Sequence, residues 1–331
     1  MQKNILILSA GRRVELVNCF HLAAKKMKKR FQNFESRVIA ADLSNMAPAG
    51  FFADSYETLP RIGSPDYIES IIELANRYKV SLIVPTIDTE LLILAKERER
   101  IERETEAKLL VSDLSVVEIC RDKIRTCSYL KKHGFMVPER ITEESIERNE
   151  VRFPVFIKPL NGSSSIQTFK INDMRELLFF KDYVKNPIIQ EYIEGEEYSV
   201  DVFLDFESNI ITTVPRQRLA VRGGEISKGI IVRDKEIISS VCSLMNVLKP
   251  VGQITVQCMK TEKGIKYIEI NPRFGGGAPM SIMSGADSCE NLYRLLSGEK
   301  LSYQDDYREG DIYLRFDESI CINKSGERIV Q

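Results

Sequence analysis

Residues 266–277 read KYIEINPRFGGG. Tyr267, Glu269, Asn271 and Arg273 alternate with Ile268, Ile270 and Pro272, which predicts a strand with an apolar back and a polar front. Three glycines then free the backbone. A carboxylate beside two isoleucines needs a cation or hydrogen bonds if the strand is buried. Arg273 is an awkward direct partner, because four residues along a strand span about 13 Å. Asn271 is about 7 Å away on the same face, so Glu269 and Asn271 are able to converge on one ion above the strand. The stretch GQITVQCMK, just upstream, offers Gln257 on a strand expected to run antiparallel across the turn TEKG. One carboxylate and two amide oxygens, without histidine or thiolate, suit Mg²⁺ whose shell phosphate oxygens complete. A polar sheet face open to water remains the alternative.

Two lysines belong with this strand. Lys158 ends the apolar run FPVFIKP, and Lys123 opens a helix after Asp122. Each alone reads equally as a surface lysine. Between Lys158 and the next strand lies LNGSSSIQ, whose backbone N–H groups and hydroxyls suit phosphate and equally suit an ordinary hairpin turn. GEISKGI, residues 224–230, spaces two glycines as a Walker A motif does, but Ile230 stands where the lysine belongs. SAGRRVE has one glycine rather than G-x-G-x-x-G, which ranks dinucleotide oxidoreduction last, with Asp42 the only ribose candidate.

The whole chain bounds these readings. At 331 residues it exceeds one small core, and its composition, 43 % hydrophobic and 29 % charged, is that of a soluble globular protein. A formal net charge of −1 gives no basic excess for nucleic acid. The opening run, Ile5–Leu8, is a strand rather than a signal peptide, and no apolar stretch approaches the roughly 20 residues that span a bilayer. Seven scattered cysteines with no C-x-x-C read as core residues of a cytoplasmic protein. The two histidines, His21 and His133, read as structural, which disfavours a zinc site or a Ser-His-Asp triad.

Residues 1–112 alternate strands with helices and predict a doubly wound parallel sheet. After that the pattern turns α+β, with short antiparallel strands separated by helices. The expected units are 1–112, then 113–190, 191–310 and a C-terminal stretch of strands and tail, 311–331.

RDK, FPVFIKPLNGSSS, IIQEYIEGEEYSVD and EINPRFGGG stand in an order and spacing that resemble the ATP-grasp superfamily, above all its carbamoyl-phosphate-synthase-like members. SAGRR and VPTIDTELL resemble that family's pre-ATP-grasp domain. The resemblance covers nearly the whole chain. It implies a small lobe with a phosphate loop in 113–190 and a large lobe with a metal site in 191–310. Lys123 and Lys158 would hold the nucleotide phosphates, each worth about 4 kcal/mol at 4 Å in an effective dielectric near 20. Asn161 to Ser165, including Ser163, Ser164 and Ser165, would close over them. Glu191, Tyr192 and Ile193 would form the lobe-linking segment, with Glu191 and Ile193 at the adenine edge and Glu197 at the ribose. Gln257, Glu269 and Asn271 would hold Mg²⁺, with Mn²⁺ the alternative. Arg273, with Asn271, would face the transferred phosphoryl group. Arg218 and Lys228, with Arg216 and Arg222, would form a site for phosphate or an anionic substrate. Two residues depart from the pattern. Gln257 is neutral where many members carry a carboxylate, and Gln167 replaces a frequent loop glycine.

The implied activity is ATP-dependent joining of a small carboxylate to an amine, or a thiol, through an acyl phosphate with release of ADP. Bicarbonate or carbamate activation, as in half of a carbamoyl-phosphate synthase, is the second reading. A nucleotide-binding module without turnover is the third. Homodimers occur in the superfamily, but no interface signal stands out in this sequence.

Overall fold

The structure, a computed structural model, describes residues 1–160 and 167–329. The first unit holds β1 (Asn4–Ile7), α1 (Val14–Arg30), β2 (Val38–Asp42), β3 (Ser55–Thr58), α2 (Tyr67–Arg77), β4 (Val80–Val84), α3 (Asp88–Glu104) and β5 (Lys108–Leu109). Its sheet is parallel, in the order β3-β2-β1-β4-β5. Both faces are covered, which is why the central strands are runs of Ile, Leu and Val. Ile5 and Ile7 pack towards α1, whereas Leu6 and Leu8 pack towards α2 and α3.

The chain continues through α4 (Leu114–Arg121), α5 (Lys123–Lys132) and α6 (Glu143–Glu147). A small antiparallel sheet follows, from β6 (Val155–Pro159), β7 (Phe169–Ile171), α7 (Met174–Tyr183) and β8 (Pro187–Glu191), in the order β7-β6-β8. It has its own core, including Ile146, Val155, Ile157, Leu177 and Ile189.

The largest sheet comes from β9 (Glu196–Leu204), β10 (Ile210–Arg222), β11 (Glu225–Ile231), α8 (Lys235–Leu248), β12 (Gly252–Thr261) and β13 (Gly264–Asn271). After α9 (Ala278–Met283) and α10 (Ser288–Leu296), the edge strand β14 (Ile312–Leu314) joins it. The order is β13-β12-β9-β10-β11-β14, antiparallel throughout. A short hairpin, β15 (Cys321–Ile322) with β16 (Arg328–Ile329), ends the described chain. Val200, Val202, Ile254, Val256 and Cys258 turn one face of the large sheet onto α8, α4 and α5, so α4 and α5 rest on the large sheet and not on the small one. No helix among the described residues is long and apolar enough to cross a membrane.

The alternation expected of 266–273 is broken once. Gln257 pairs with Glu269 but Cys258 pairs with Tyr267, so Ile268 is an extra residue, a β-bulge. Tyr267 therefore turns to the back, where it is buried in the α8 core and its hydroxyl meets Ser240 at 2.6 Å. Glu269 and Asn271 keep the front, and Tyr267 does not belong with them.

The segment after the glycines returns to the first unit. Phe274, Ala278, Ile282, Cys289, Leu292 and Tyr293 are buried with Ile5, Phe20 and the rest of the α1 face. The linear order of the chain hides this, since α9 and α10 follow the last central strand of a different sheet.

Candidate active site

Two polar rungs cross the front of the large sheet. Ser199, Gln257 and Glu269 stand side by side on β9, β12 and β13, and Asp201, Thr255 and Asn271 form the next rung. Gln257 and Glu269 are direct cross-strand neighbours, a separation of about 5 Å that allows both side-chain oxygens to reach one ion. Asn271 Oδ1 accepts from Arg273 Nη2 at 3.3 Å. Among the described residues no cluster of three or more His, Cys, Asp or Glu side chains is close enough to hold a metal. The protein thus supplies an incomplete oxygen set with one carboxylate at its centre. That fits Mg²⁺, which keeps water and substrate phosphate oxygens in its shell, and does not fit a metal enclosed by protein alone.

Two lysines approach this rung from different elements. Asp122 caps α5, its Oδ1 accepting from Ile124 N at 2.8 Å and Arg125 N at 3.0 Å, and so fixes Lys123 at the helix start. Lys123 Nζ donates to the carbonyls of Leu160, 3.0 Å, and Pro159, 3.4 Å, on the small lobe. Burial holds its ammonium below the usual lysine range against the opposing pull of Glu269. Lys158 ends β6. Burial first and then the like charge of Lys123 lower it as well, again opposed by Glu269. Burial is thus the largest influence on both cations in the free protein. Ser163, Ser164, Ser165 and the rest of the expected phosphate loop, 161–165, lie outside the described residues. Gln167, just after them, has a left-handed φ of 55°.

The linking segment is half-buried. Glu191 makes an ion pair with Lys266 and accepts from Glu139 N at 2.9 Å. Burial raises its carboxyl, but those hydrogen bonds and the Lys266 charge bring it below the usual range. The Glu191 side chain is thereby engaged, and its backbone N–H donates to Glu139 O at 2.8 Å. Lys170 Nζ lies 4.1 Å from the Tyr192 ring centroid. Glu197 stands 3.2 Å from Arg218 Nε.

The basic stretch 216–228 divides. Arg216 is 1 % exposed and forms an ion pair with Asp201 at 2.8 Å. Asp201 also accepts from Thr255 Oγ1 at 2.8 Å and Ser281 Oγ at 2.6 Å. Arg216 is therefore a buried support and not an open anion site. Arg222 is exposed and paired with Asp317 at 2.7 Å. Arg218 stays on the front, donating to Ser199 Oγ at 3.2 Å and Gly224 O at 2.9 Å. Burial lowers its guanidinium, and Glu197 and then Glu269 oppose that. Lys228 is exposed and adjoins Gly229, the cross-strand partner of Arg218, so it points to the opposite face.

The glycines are required by contact. A Cβ on Gly277 would lie 2.7 Å from Arg216 Cζ and 2.8 Å from Ile226 Cγ2. One on Gly276 would lie 2.7 Å from Arg13 Nη1 and 2.8 Å from the Glu225 carboxylate. Arg273 reaches the other way, in an ion pair with Asp88 at the start of α3. Asp42 is spoken for, since Oδ2 accepts from Gly11 N at 2.8 Å and holds the loop after β1. Sequence reasoning missed Ser199, Asp201, Thr255 and Glu225. Only the alternation within EYSVDVF hinted at the first two.

A model of the ATP-grasp domain matches residues 120–277, and a model of a PylC-like N-terminal domain matches residues 5–108. Residues 120–277 of the chain form a domain of the ATP-grasp superfamily. That segment holds Lys123, Lys158, Gln257, Glu269, Asn271 and Arg273 in one match. Among relatives, D-alanine–D-alanine ligase B of Clostridium perfringens is 29 % identical over 196 residues, 51 % of this chain and 63 % of that protein. The 3-methyl-D-ornithine–L-lysine ligase of Methanosarcina acetivorans is 25 % identical over 279 residues, 78 % of this chain and 67 % of that protein. Both are longer than their match with this chain. The biotin carboxylase domain of Hydrogenobacter thermophilus 2-oxoglutarate carboxylase, solved with MgADP and bicarbonate, shares the ATP-grasp fold. Its TM-score is 0.71 at 19 % identity, covering 94 % of this chain and 73 % of that one.

Proposed function

We propose that this protein is an ATP-dependent ligase that joins a small carboxylate to an amine, or a thiol, through an acyl phosphate, releasing ADP and phosphate. The observation that carries the reading is the approach of Lys123 and Lys158, from separate elements, to the Glu269–Gln257 pair. Two partly buried ammonium groups beside an oxygen ligand pair suit a polyphosphate with its metal. The ligase names of the relatives point the same way.

In this reading Lys123 and Lys158 bind the phosphates and offset their charge. Glu191, Tyr192 and Ile193 border the base, and Glu197 the ribose. Gln257, Glu269 and Asn271 would hold Mg²⁺, or Mn²⁺ in its place, which would supply Lewis-acid neutralisation of phosphoryl charge. Arg273, with Arg218 at the flank, stabilises the negative charge on that group as it passes to a carboxylate oxygen of the substrate. The P–O bond to ADP breaks as the bond to the carboxylate forms. The amine then attacks the acyl carbon, inorganic phosphate leaves with the electron pair of the C–O bond, and the ammonium formed loses its proton to solvent. Lys228, on the far face, takes no part. Catalysis here is positioning and charge neutralisation. Of the expected units, 1–112 with α9 and α10 serves as the substrate-side domain, the small sheet within 113–190 as the phosphate lobe, the large sheet within 191–310 with α4 and α5 as the metal lobe, and 311–331 as the edge segment.

The test is ADP and phosphate release by the purified protein with Mg²⁺-ATP against pools of amino acids, other carboxylates and bicarbonate. Release that depends on one pool supports the ligase. AMP with pyrophosphate would replace the acyl phosphate with an adenylate, and ATP binding without turnover against every pool would leave only a nucleotide-binding module.

A further inference from the structure

The parallel sheet reverses its strand order between β1 and β4, because the chain runs outward through β2 and β3 and then returns to β4 and β5. In open α/β sheets a ligand crevice lies at this switch point, outside the carboxyl ends of the strands. The loop leaving β1 carries Arg13, and the loop leaving β4 leads to Asp88 at the start of α3. Facing them are Arg273 and Gly276 from the glycine segment, Glu225 from the β10–β11 hairpin, and Arg315 after β14.

Arg13 is the unusual member. Its side chain is 19 % exposed, so most of it is out of water. Glu225 Oε1 is 3.6 Å from Arg13 Nη1, too far for a hydrogen bond. The other Glu225 oxygen is committed to Arg315 Nη1 at 2.8 Å. No hydrogen bond from the Arg13 guanidinium to any described residue is present. Burial first, and then the like charge of Arg273, lower it, which the nearby Glu225 only partly offsets. Around the crevice three arginines, Arg13, Arg273 and Arg315, face two carboxylates, Asp88 and Glu225, while Arg12, Arg222, Glu15 and Asp317 at the rim add two charges of each sign. A half-buried guanidinium with its fork unused, in a crevice with one positive charge in excess, is a receptor for a carboxylate.

We propose that Arg13 determines substrate specificity by binding a carboxylate of the substrate other than the one that is phosphorylated, and that Glu225 shields Arg13 in the free protein. The proposal rests on the ligase reading for the meaning of "substrate". The carboxylate belongs either to a dicarboxylic acid that is activated at its far end or to an amino acid that serves as the amine.

The experiment uses the whole chain with sodium malonate as probe, read by thermal shift against sodium chloride at equal ionic strength. Malonate should stabilise the wild type, and Arg13→Gln should lose about tenfold or more in apparent affinity, the effect of one charged hydrogen-bonded contact. Glu225→Gln should bind malonate as tightly or more tightly. Lys158→Gln should bind it as the wild type does, because the phosphate seat is not involved. The proposal is overturned if malonate adds nothing beyond chloride, if Arg13→Gln responds like the wild type, or if Lys158→Gln alone loses the response. Failure of the ligase reading shows separately, as absence of ADP release with this binding intact. Where turnover is found, Arg13→Gln should raise KM for the carboxylate substrate about tenfold while KM for ATP holds. Turnover gained from glutarate against turnover gained from L-alanine then tells the dicarboxylic acid from the amino acid.

Discussion

Replacing Arg216 tests whether the basic stretch 216–228 binds ligand or supports the sheet. Arg216 and Asp201 are each 1 % exposed, and their side chains meet at 2.8 Å beneath Gly277. In Arg216→Met, Asp201 stays buried with only the Thr255 and Ser281 hydroxyls, at 2.8 and 2.6 Å. Removing one partner of a buried pair costs about 3–5 kcal/mol. The two remaining hydroxyls place this case near the lower end, at about 3 kcal/mol. In a large domain that lowers the unfolding midpoint by about 6–12 °C. The assay is thermal unfolding of ligand-free protein, followed by far-UV circular dichroism at matched concentrations. Arg216→Met combined with Asp201→Leu should recover at least half of the loss, because an apolar pair avoids the stranded charge. If Arg216→Met unfolds within about 1 °C of wild type and instead raises the KM of an anionic substrate, the guanidinium is a ligand-binding group and the argument from burial is wrong.

The same packing predicts that Gly277→Ala, which presses on Arg216, destabilises more than Gly223→Ala, where nothing lies within 4 Å and only a φ of 58° is strained; comparison of the two melting curves decides it. Glu269→Gln should reduce metal-dependent turnover by about a hundredfold, some 3 kcal/mol of transition-state stabilisation, with the melting curve unchanged. Full activity in that variant would remove Glu269 from the metal set. Nucleotide affinity should fall with rising pH on the alkaline side. Lys123 and Lys158 are lowered in the free protein, the polyphosphate favours their charged forms, and protons are therefore taken up on binding between the free and bound pKa values. Calorimetry in two buffers of different ionisation enthalpy reads that uptake, and none at any pH below about 10.4 would contradict it.

Covered parallel strands and a half-covered antiparallel sheet leave clear hydrophobic patterns, so the fold class and the pairing of Gln257 with Glu269 could be read from the chain. Tyr267 was misread because a single bulge at Ile268 shifts the alternation by one, and no residue type announces it. Arg216 and Arg218 are two apart on one strand and look alike in sequence. Their fates differ because Asp201 and the glycines, which come from other parts of the chain, close over the first and not the second. The return of α9 and α10 to the first unit was equally hidden, since a helix pattern shows an apolar face but not the sheet that receives it.

That return has a consequence for how the site is anchored. Asn271 is fixed on β13, and Phe274 is buried against Phe20 of α1, ring centroids 6.1 Å apart. Only Pro272 and Arg273 lie between these anchors, so Arg273 and the glycines are held jointly by the large sheet and the N-terminal unit. Lys158, by contrast, stands on the small sheet, whose core is its own. Among the described residues, polar contacts tie that lobe to the rest near the site, including Lys123 to the carbonyls of Leu160 and Pro159, Gln190 to Cys127, and Glu191 to Lys266. Polar contacts at a partly exposed cleft exchange readily for water, whereas the Phe20–Phe274 core does not. The wall that carries Arg273 is therefore the more firmly anchored one, and the small sheet that carries Lys158 the less firmly anchored. Under the ligase reading proposed above, the nucleotide phosphates would compete with the Leu160 and Pro159 carbonyls for Lys123, at the junction of the two walls.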